Sequence, residues 1–598
     1  MKNILLKLMV FTALVSFNAC DEFLDVESKS TMDGSVVYSS PEFAQQAVGG
    51  ILTSFAETNS YRGRYLVNYG VNTDVEITNS FGDYTGPKGR IANYNTQTQS
   101  PGVMESTPTC WAKLYEGVER ANIAVENLRA YGDVENRPEM AQILGEVLTL
   151  RAVIYNDLLK AWGNVPARFS PITPETIYEP KSDRDVILKQ LLDDLAEAAE
   201  YCAWPGETAV TQTREHVNKA FVKGLRARLA LIAAGYSQHI DGQYRESAEF
   251  DKTELYQIAK TECLDVINSG TCRLLGFEEV FKNYYCGENL TAVNNEILFE
   301  IPFSEGRGRV IFDLGVKHTN TDKYTGQAKG GTDGVNPVMW YEYEKEDVRR
   351  EVSCVPYEWT NGKQVPTNLN KWYFGKYRYE WLPRRVTSSN DDGLNWLYMR
   401  YSDILLMAAE AINELEGLTA AAPYFREVRE RAYPNNPEKV DAYMAQITAS
   451  KNAFFNAIVD ERALEFCGEM VRKADLIRWN LLTEKMAENK EKLQQLSARQ
   501  GKYADLPQKI YYKTAPDGES LIIYGLNFGD TDATGEALRY PSNKSWEMFG
   551  GETTEDKKIW NCLFMRDPEL QPYWPVFDVD VANSNGTLTN DGYNHPAN

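Results

Sequence analysis

In the stretch ILGEVLTLRAVIYNDLLKA, residues 143–161, the positions Ile143, Val147, Leu150, Ile154, Leu158 and Ala161 recur at spacings of four and three. That rhythm places them on one stripe of an α-helix, which must be covered by another apolar surface. The covering element stands just upstream in LYEGVERANIAVENL, residues 114–128, where Leu114, Val118, Ala121, Val125 and Leu128 repeat the same spacing. The two predict an antiparallel hairpin. A second follows, with Ile187, Leu191, Leu195, Ala198 and Cys202 on one helix and Val217, Phe221, Leu225, Leu229 and Ile232 on its partner. Later, Ile404, Ala408, Ala411 and Leu415 pattern another helix, and Ala453 to Trp479 reads as one long, charged helical region. Hairpins that cannot bury their stripes alone stack into arrays, so the fold class is mainly α, a tetratricopeptide-like helix-pair scaffold without the strict repeat consensus.

The helical parts fall mainly at 41–270 and 398–490 of a single body spanning 41–598. Between 270 and 395, and again from 500 to 598, Gly, Pro, Asn and aromatic residues take over. Short alternating runs such as Glu296-Ile297-Leu298-Phe299-Glu300-Ile301 predict a loop-rich half with small β elements. The segment 79–108 is a third irregular stretch.

The chain begins MKNILLKLMVFTALVSFNAC, with Lys2 and Lys7 before an apolar run from Leu8 to Phe17 that is too short to span a bilayer. Residues 1–19 read as a lipoprotein signal peptide, Cys20 as the acylated first residue, and 20–40 as its tether. Each buried acyl CH₂ contributes roughly 0.8 kcal/mol, so the acyl chains would hold a soluble body on a membrane. Eight of the nine cysteines remain after Cys20. No C-x-x-C pair exists to suggest a zinc site, and the pairing of the eight stays open.

A net charge of -22 over 598 residues disfavours nucleic acid, whose binding depends on Lys and Arg displacing counterions. Catalytic signals are sparse. The four histidines, His216, His239, His318 and His595, sit in no catalytic pattern, and G-x-S-x-G, H-E-x-x-H and P-loop motifs are missing. Glu461, Glu465 and Glu469 share one helix face at i, i+4, i+8, with Arg462, Arg472 and Arg478 at hand as charge partners, so they read as scaffold ion pairs rather than an acid/base set. Asp530-x-Asp532-x-Thr534-Gly535 begins like a calcium loop but has Pro541 at the twelfth position, and it reads as a turn. Asp578 and Asp580 make an equally thin calcium case. No catalytic residue, metal or cofactor is expected.

Several segments together resemble the SusD/RagB family of outer-membrane nutrient-binding lipoproteins. They are Cys20-Asp21-Glu22-Phe23-Leu24-Asp25, WAKLYEGVERAN at 111–122, Leu150-Arg151-Ala152 with Trp162-Gly163-Asn164-Val165-Pro166, EILFEIPF at 296–303, MRYSDILLMAAE at 399–410 and ERALEFCGEMVRKADLIRW at 461–479. The closing Asp567-Pro568-Glu569-Leu570, Tyr573-Trp574-Pro575-Val576 and Asn590-Asp591-Gly592-Tyr593 match more loosely, with Val576-Phe577 where the family has Ile-Pro. The resemblance implies four tetratricopeptide-like helix pairs scaffolding a loop-rich half, anchored at Cys20 on the outer membrane and facing the cell exterior. It also implies capture of oligosaccharide or polysaccharide fragments, without chemistry, for a SusC-like TonB-dependent transporter.

Rings in the irregular segments are the candidate sugar platforms, because rings on helical stripes are already needed by the core. Glycan-binding relatives place such rings, with hydrogen-bonding Asn or Arg, on loops in corresponding regions. The candidates here are Phe81, Tyr84, Lys88, Arg90, Tyr94 and Asn95 in the first stretch, and Trp359, Trp372, Tyr373 and Trp381 in the middle one. Other readings are peptide capture of the RagB kind, a secreted glycoside hydrolase whose two distant carboxylates would leave no local motif, and a purely structural subunit.

Overall fold

The computed structural model describes residues 33–79, 85–303, 306–388, 391–548, 560 and 563–591. The expected lipidation site Cys20, the signal peptide, and the candidates Phe81 and Tyr84 lie outside them. No described helix is long and apolar enough to cross a membrane.

The stack is built of α1 (Pro41–Leu52), α2 (Cys110–Tyr131), α3 (Pro138–Trp162), α4 (Arg184–Tyr201), α5 (Lys219–Ala233) and α6 (Lys252–Ser269), then, after a long insertion, α7 (Tyr401–Leu415) and α8 (Leu418–Ala432). Helices form at the five counted stripes, here α2 to α5 and α7, and three more, α1, α6 and α8, form where no stripe was counted. Each packs against the one before it, and α6 packs directly on α7, so the insertion interrupts the chain but not the stack. Helix starts are fixed by side chains that accept the otherwise orphaned amides. Thr109 accepts from Ala112 N, Asn218 from Phe221 N, and Asp251 from Thr253 N and Glu254 N. Each such cap is worth about 1 kcal/mol.

Helix α3 is the axis of the stack, buried along nearly its whole length. Arg151, within its Leu-Arg-Ala motif, donates to Asn122 Oδ1 of α2 at 2.8 Å and to Asp194 Oδ2 of α4 at 2.6 Å. One buried guanidinium therefore joins three helices. At the end of α3, Gly163 takes φ +70, where a side chain is strained, and Asn164 turns back to accept from Arg184 N and to donate to Gln238 O. The Trp-Gly-Asn element thus stops one helix and ties down the start of the next.

The insertion is closed at its base by strand β2 (Ile297–Ile301) pairing antiparallel with β4 (Trp396–Arg400). Within it, β3 (Asp333–Val335) pairs with β1 (Glu76–Thr78). The C-terminal irregular region carries an antiparallel sheet in the order β6 (Leu521–Tyr524), β5 (Lys509–Thr514), β7 (Ser542–Ser545). Small β elements in a loop-rich half are what the sequence predicts.

One expectation is corrected. The region from Ala453 to Trp479 is not one helix: α10 (Lys451–Glu465), which follows α9 (Pro437–Ile447), ends before Gly468, and the chain restarts as α11 (Arg472–Arg478) and continues into α12 (Leu482–Ala498). Gly468 has φ +86, and a Cβ there would stand 2.8 Å from the Phe374 ring. The break lets the backbone pass close to Phe374 of the insertion and to β1, where Gly468 N donates to Glu76 Oε1 at 3.1 Å. The cysteines left open above resolve as buried free thiols at the seven described positions, Cys110, Cys202, Cys263, Cys272, Cys286, Cys354 and Cys467.

Candidate functional site

The first predicted stretch is stitched to the middle one. Beyond the β1–β3 pairing, Asn79 N donates to Thr332 O at 3.0 Å, and its side-chain amide reaches Gly331 O and Trp372 O at 3.3 Å each. Lys88 Nζ lies 3.4 Å from Asp333 Oδ1. Farther along, Gln571 donates to Thr96 O and Asp578 N to Thr98 O, so residues 85–109 run from the middle loops to the C-terminal segment.

Most of the predicted platform rings are not at the surface. Trp372 is 1 % exposed, stacked on Trp340 at 5.1 Å and edge-on to Trp546, with its Nε1 donating to Leu369 O. Tyr373 is buried and donates to Glu358 Oε2 at 2.8 Å. Trp359 lies parallel to His318 at 5.7 Å and donates to Glu380 Oε1. Tyr94 is buried beneath the Lys473 ammonium and donates to Asn72 O. These four have no free face to offer a ligand, which corrects the platform role expected of them. The physical reason is general: a half without helical stripes still needs a core, and large rings supply it. Arg90 and Asn95 are half-buried. Trp381 is half-buried at an open cleft of about 420 Å3 shared with Glu278, Asp347 and Glu351, but Arg378 sits 4.2 Å over its ring.

A better-formed aromatic groove, of about 330 Å3, opens between the start of α2, the 166–179 connection and the C-terminal segment. The Thr109 cap puts Trp111 in the first turn of α2, and Tyr115 follows one turn later with its ring 5.0 Å away. Tyr115 donates to Pro166 O at 2.9 Å. Arg168 donates to Thr176 O and Ile177 O at 2.6 and 2.7 Å, which holds out the loop bearing Ile172, Ile177 and the 45 %-exposed Tyr178. Asn583, Ser584 and Thr587 form the polar wall, and beside them Asp580, pushed up to about 6 by burial, accepts from Thr109 Oγ1 at 2.8 Å. Rings and amide or hydroxyl groups lining one concave site suit a ligand with both an apolar face and hydroxyls.

Sequence reasoning set these residues aside. Trp111 and Tyr115 lie on a helix, where rings were assigned to the core, and Tyr178 lies within the helical part of the chain. The run Pro166 to Pro180, with four prolines and apolar residues between two strong helices, was the available signal.

The late carboxylates are structural. Glu461 meets Arg349 and Arg429, Glu465 meets Arg349, Arg400 and Arg431, and Glu469 meets Arg400 and Lys376. Burial alone would raise the Glu465 carboxyl, but Arg431, Arg400 and Arg349 hold it well below the usual range. The expected partners are corrected: Arg462 pairs with Asp403 and Asp475, Arg472 with Asp74, and Arg478 with Glu410 and Asp475. The three cations project from other faces of the broken helix. Among the described residues, Asp183, Asp185 and His239 lie close enough together to hold a metal. Their facing atoms are already engaged, however, since Asp183 accepts from Asp185 N, Ile240 N and His239, and Asp185 from Ser247. Asp530 accepts from the amides of Gly525 and Asn527, as a turn requires.

A profile of the SusD family matches residues 313–593, and a second, described as starch-binding associating with outer membrane, matches 22–231. The chain belongs to the SusD family. The SusD-like protein P25 of Formosa agariphila is 24% identical over 521 residues, covering 80% of this SusD-family chain and 90% of its own. A SusD homolog from Bacteroides thetaiotaomicron superposes with a TM-score of 0.65 at 20% identity, over 78% of this chain and 91% of its own. Surface glycan-binding protein A from the same organism, solved in complex with laminarihexaose, superposes with a TM-score of 0.60 at 18% identity, over 92% of this chain and 99% of its own. At such identities the likeness establishes the shared mainly α, tetratricopeptide-like SusD fold.

Proposed function

We propose that this SusD-family protein is a surface-exposed outer-membrane lipoprotein that captures oligosaccharide without altering it and delivers it to a SusC-like TonB-dependent transporter. The observation that carries the reading is the concave groove lined by Trp111, Tyr115 and the exposed Tyr178 together with Asn583 and Thr587. Pyranose rings present apolar C–H faces to aromatic surfaces and hydroxyls at their edges, so the groove can bind without a reacting group. The solved relative bound to laminarihexaose supports a glycan over a peptide. Lipid attachment at Cys20 would supply the location, and the helix stack a rigid frame for docking on the transporter.

Calorimetry against neutral oligosaccharides, laminarihexaose among them, and against a peptide pool tests this reading. Glycan binding that drops at least tenfold in Tyr178→Ala and Asn583→Ala is expected. Peptide-only binding would overturn it in favour of peptide capture, and new reducing ends after incubation with polysaccharide would overturn it in favour of hydrolysis.

A further inference from the structure

Around Phe312, in the short helix Val310–Leu314, positive side chains converge from segments far apart in sequence. The Arg309 guanidinium lies 4.4 Å from the ring centroid and the Lys329 ammonium 5.3 Å from it. Arg309 is fixed by two hydrogen bonds to the Asp313 carboxylate, at 3.1 and 3.2 Å. Lys329 is exposed but carried on anchored backbone, since its carbonyl accepts from His318 N at 2.9 Å. Arg64 enters from the turn Tyr61–Tyr65, and a Cβ on its neighbour Gly63 would stand 3.7 Å from Arg309 Nη1. Lys88 reaches the same region through Asp333.

The charges do not cancel at the surface. Arg62 pairs with Asp391, Arg309 with Asp313 and Lys88 with Asp333, while Arg64, Arg307 and Lys329 have no carboxylate partner among the described residues. The carboxylates Asp313, Asp333 and Asp392 are buried behind the cations. Burial raises Asp333 to about 6 and Asp392 to about 7, so near neutrality Asp392 carries only part of its charge. Arg62 is lowered to about 10, first by burial and then by repulsion from Arg309 and Arg307. In a chain of net charge -22, Arg64, Arg307 and Lys329, crowded beside Arg309 without carboxylate partners among the described residues, carry a self-repulsion that an incoming anion relieves and a neutral sugar does not.

We propose that Arg309 and Lys329 over Phe312, with Arg64 beside them and the exposed Arg307 two residues before Arg309, bind the anionic groups, uronate carboxylate or sulfate ester, of an acidic oligosaccharide. This rests on the glycan-capture reading above and specifies its ligand class. Guanidinium groups suit both oxyanions because their paired N–H donors match two oxygens at once. Phe312 itself is buried, with the Arg309 and Lys329 charges both over its ring.

The test is calorimetry of the full chain with an oligogalacturonate hexamer, a chondroitin sulfate hexasaccharide and neutral laminarihexaose, each at low and moderate salt, for the wild type and for Arg307→Glu with Lys329→Glu. At least one acidic ligand is expected to bind ten times or more tighter than the neutral one, to weaken with salt, and to lose at least tenfold in the double variant. Neutral binding in that variant should be unchanged, which also verifies its fold. The uronate and sulfate arms separate the two oxyanions. Neutral ligand bound as well as both acidic ones, or acidic binding indifferent to salt and to the variant, overturns the acidic-ligand inference while leaving glycan capture standing. No binding of any glycan overturns glycan capture as well.

Discussion

Thr109 Oγ1 donates a hydrogen bond to Asp580 Oδ1 over 2.8 Å, spanning 471 positions of sequence, while the same oxygen accepts from Ala112 N to cap α2. One hydroxyl therefore sets both the start of the helix that carries Trp111 and the seat of the C-terminal wall of the groove. Replacing it with a methyl, in Thr109→Val, removes the cap and strands the Asp580 carboxyl. A loss of roughly 1–2 kcal/mol in urea unfolding is expected, with weaker glycan binding.

Arg151 and Asp194 form an ion pair at 2.6 Å with both side chains 3 % exposed. Removing one partner leaves a buried charge unanswered, which costs roughly 3–5 kcal/mol, whereas replacing both with apolar residues restores much of it. Arg151→Met should therefore be far less stable than the Arg151→Met, Asp194→Leu double variant. Equal urea midpoints for the two would show that the pair does not couple α3 to α4.

Lys473 is buried, with its ammonium 5.0 Å over the Tyr94 ring and 5.7 Å over the Tyr69 ring, and it has no ion-pair partner among the described residues. Burial lowers it to about 7. An unfolded lysine holds its proton to about 10.4, so the cost of burying this one is complete below pH 7 and fades as pH rises toward that value. Lys473→Met should raise the melting temperature, and by more at about pH 6 than at about pH 9. A gain that is equal at both would mean that the lysine is charged in the folded protein at either pH.

Glu465 and Glu469 are both held below the ordinary carboxylate range; burial opposes this, and the surrounding Arg and Lys overcome it. Groups lowered on folding contribute stability that is fully present above their unfolded pKa and lost as pH falls through the folded one. The urea midpoint should thus fall steadily below about pH 4.3, and Glu465→Gln should flatten that fall while lowering stability at neutral pH.

Trp372 and Tyr178 separate structural rings from binding rings. Trp372→Ala should cost roughly 3–5 kcal/mol through the cavity it leaves. The exposed Tyr178 should cost less than about 0.5 kcal/mol in Tyr178→Ala but lower glycan affinity. Thermal melts read beside calorimetry on the same samples check both, and an unchanged melting temperature for Trp372→Ala would show that the ring does not support the core.

The helix stack was legible in the sequence because its determinants are local. Spacings of three and four around Leu150 or Leu225, Pro138 at a helix start and Gly163 past a helix end each act within a few residues, and burial followed the stripes they predicted. The ion partners of Glu461 and Glu465 were not legible, because Arg349 and Arg400 arrive from a distant insertion and spacing along one helix cannot name them. The same holds for the rings. Composition alone does not distinguish Trp372 from Tyr178, since whether a ring meets solvent depends on Trp340 and Trp546 closing over the first, and on Arg168 holding the second outward. Local chemistry determined the scaffold. Only the packing of remote segments decided which side chains were left free to meet a ligand.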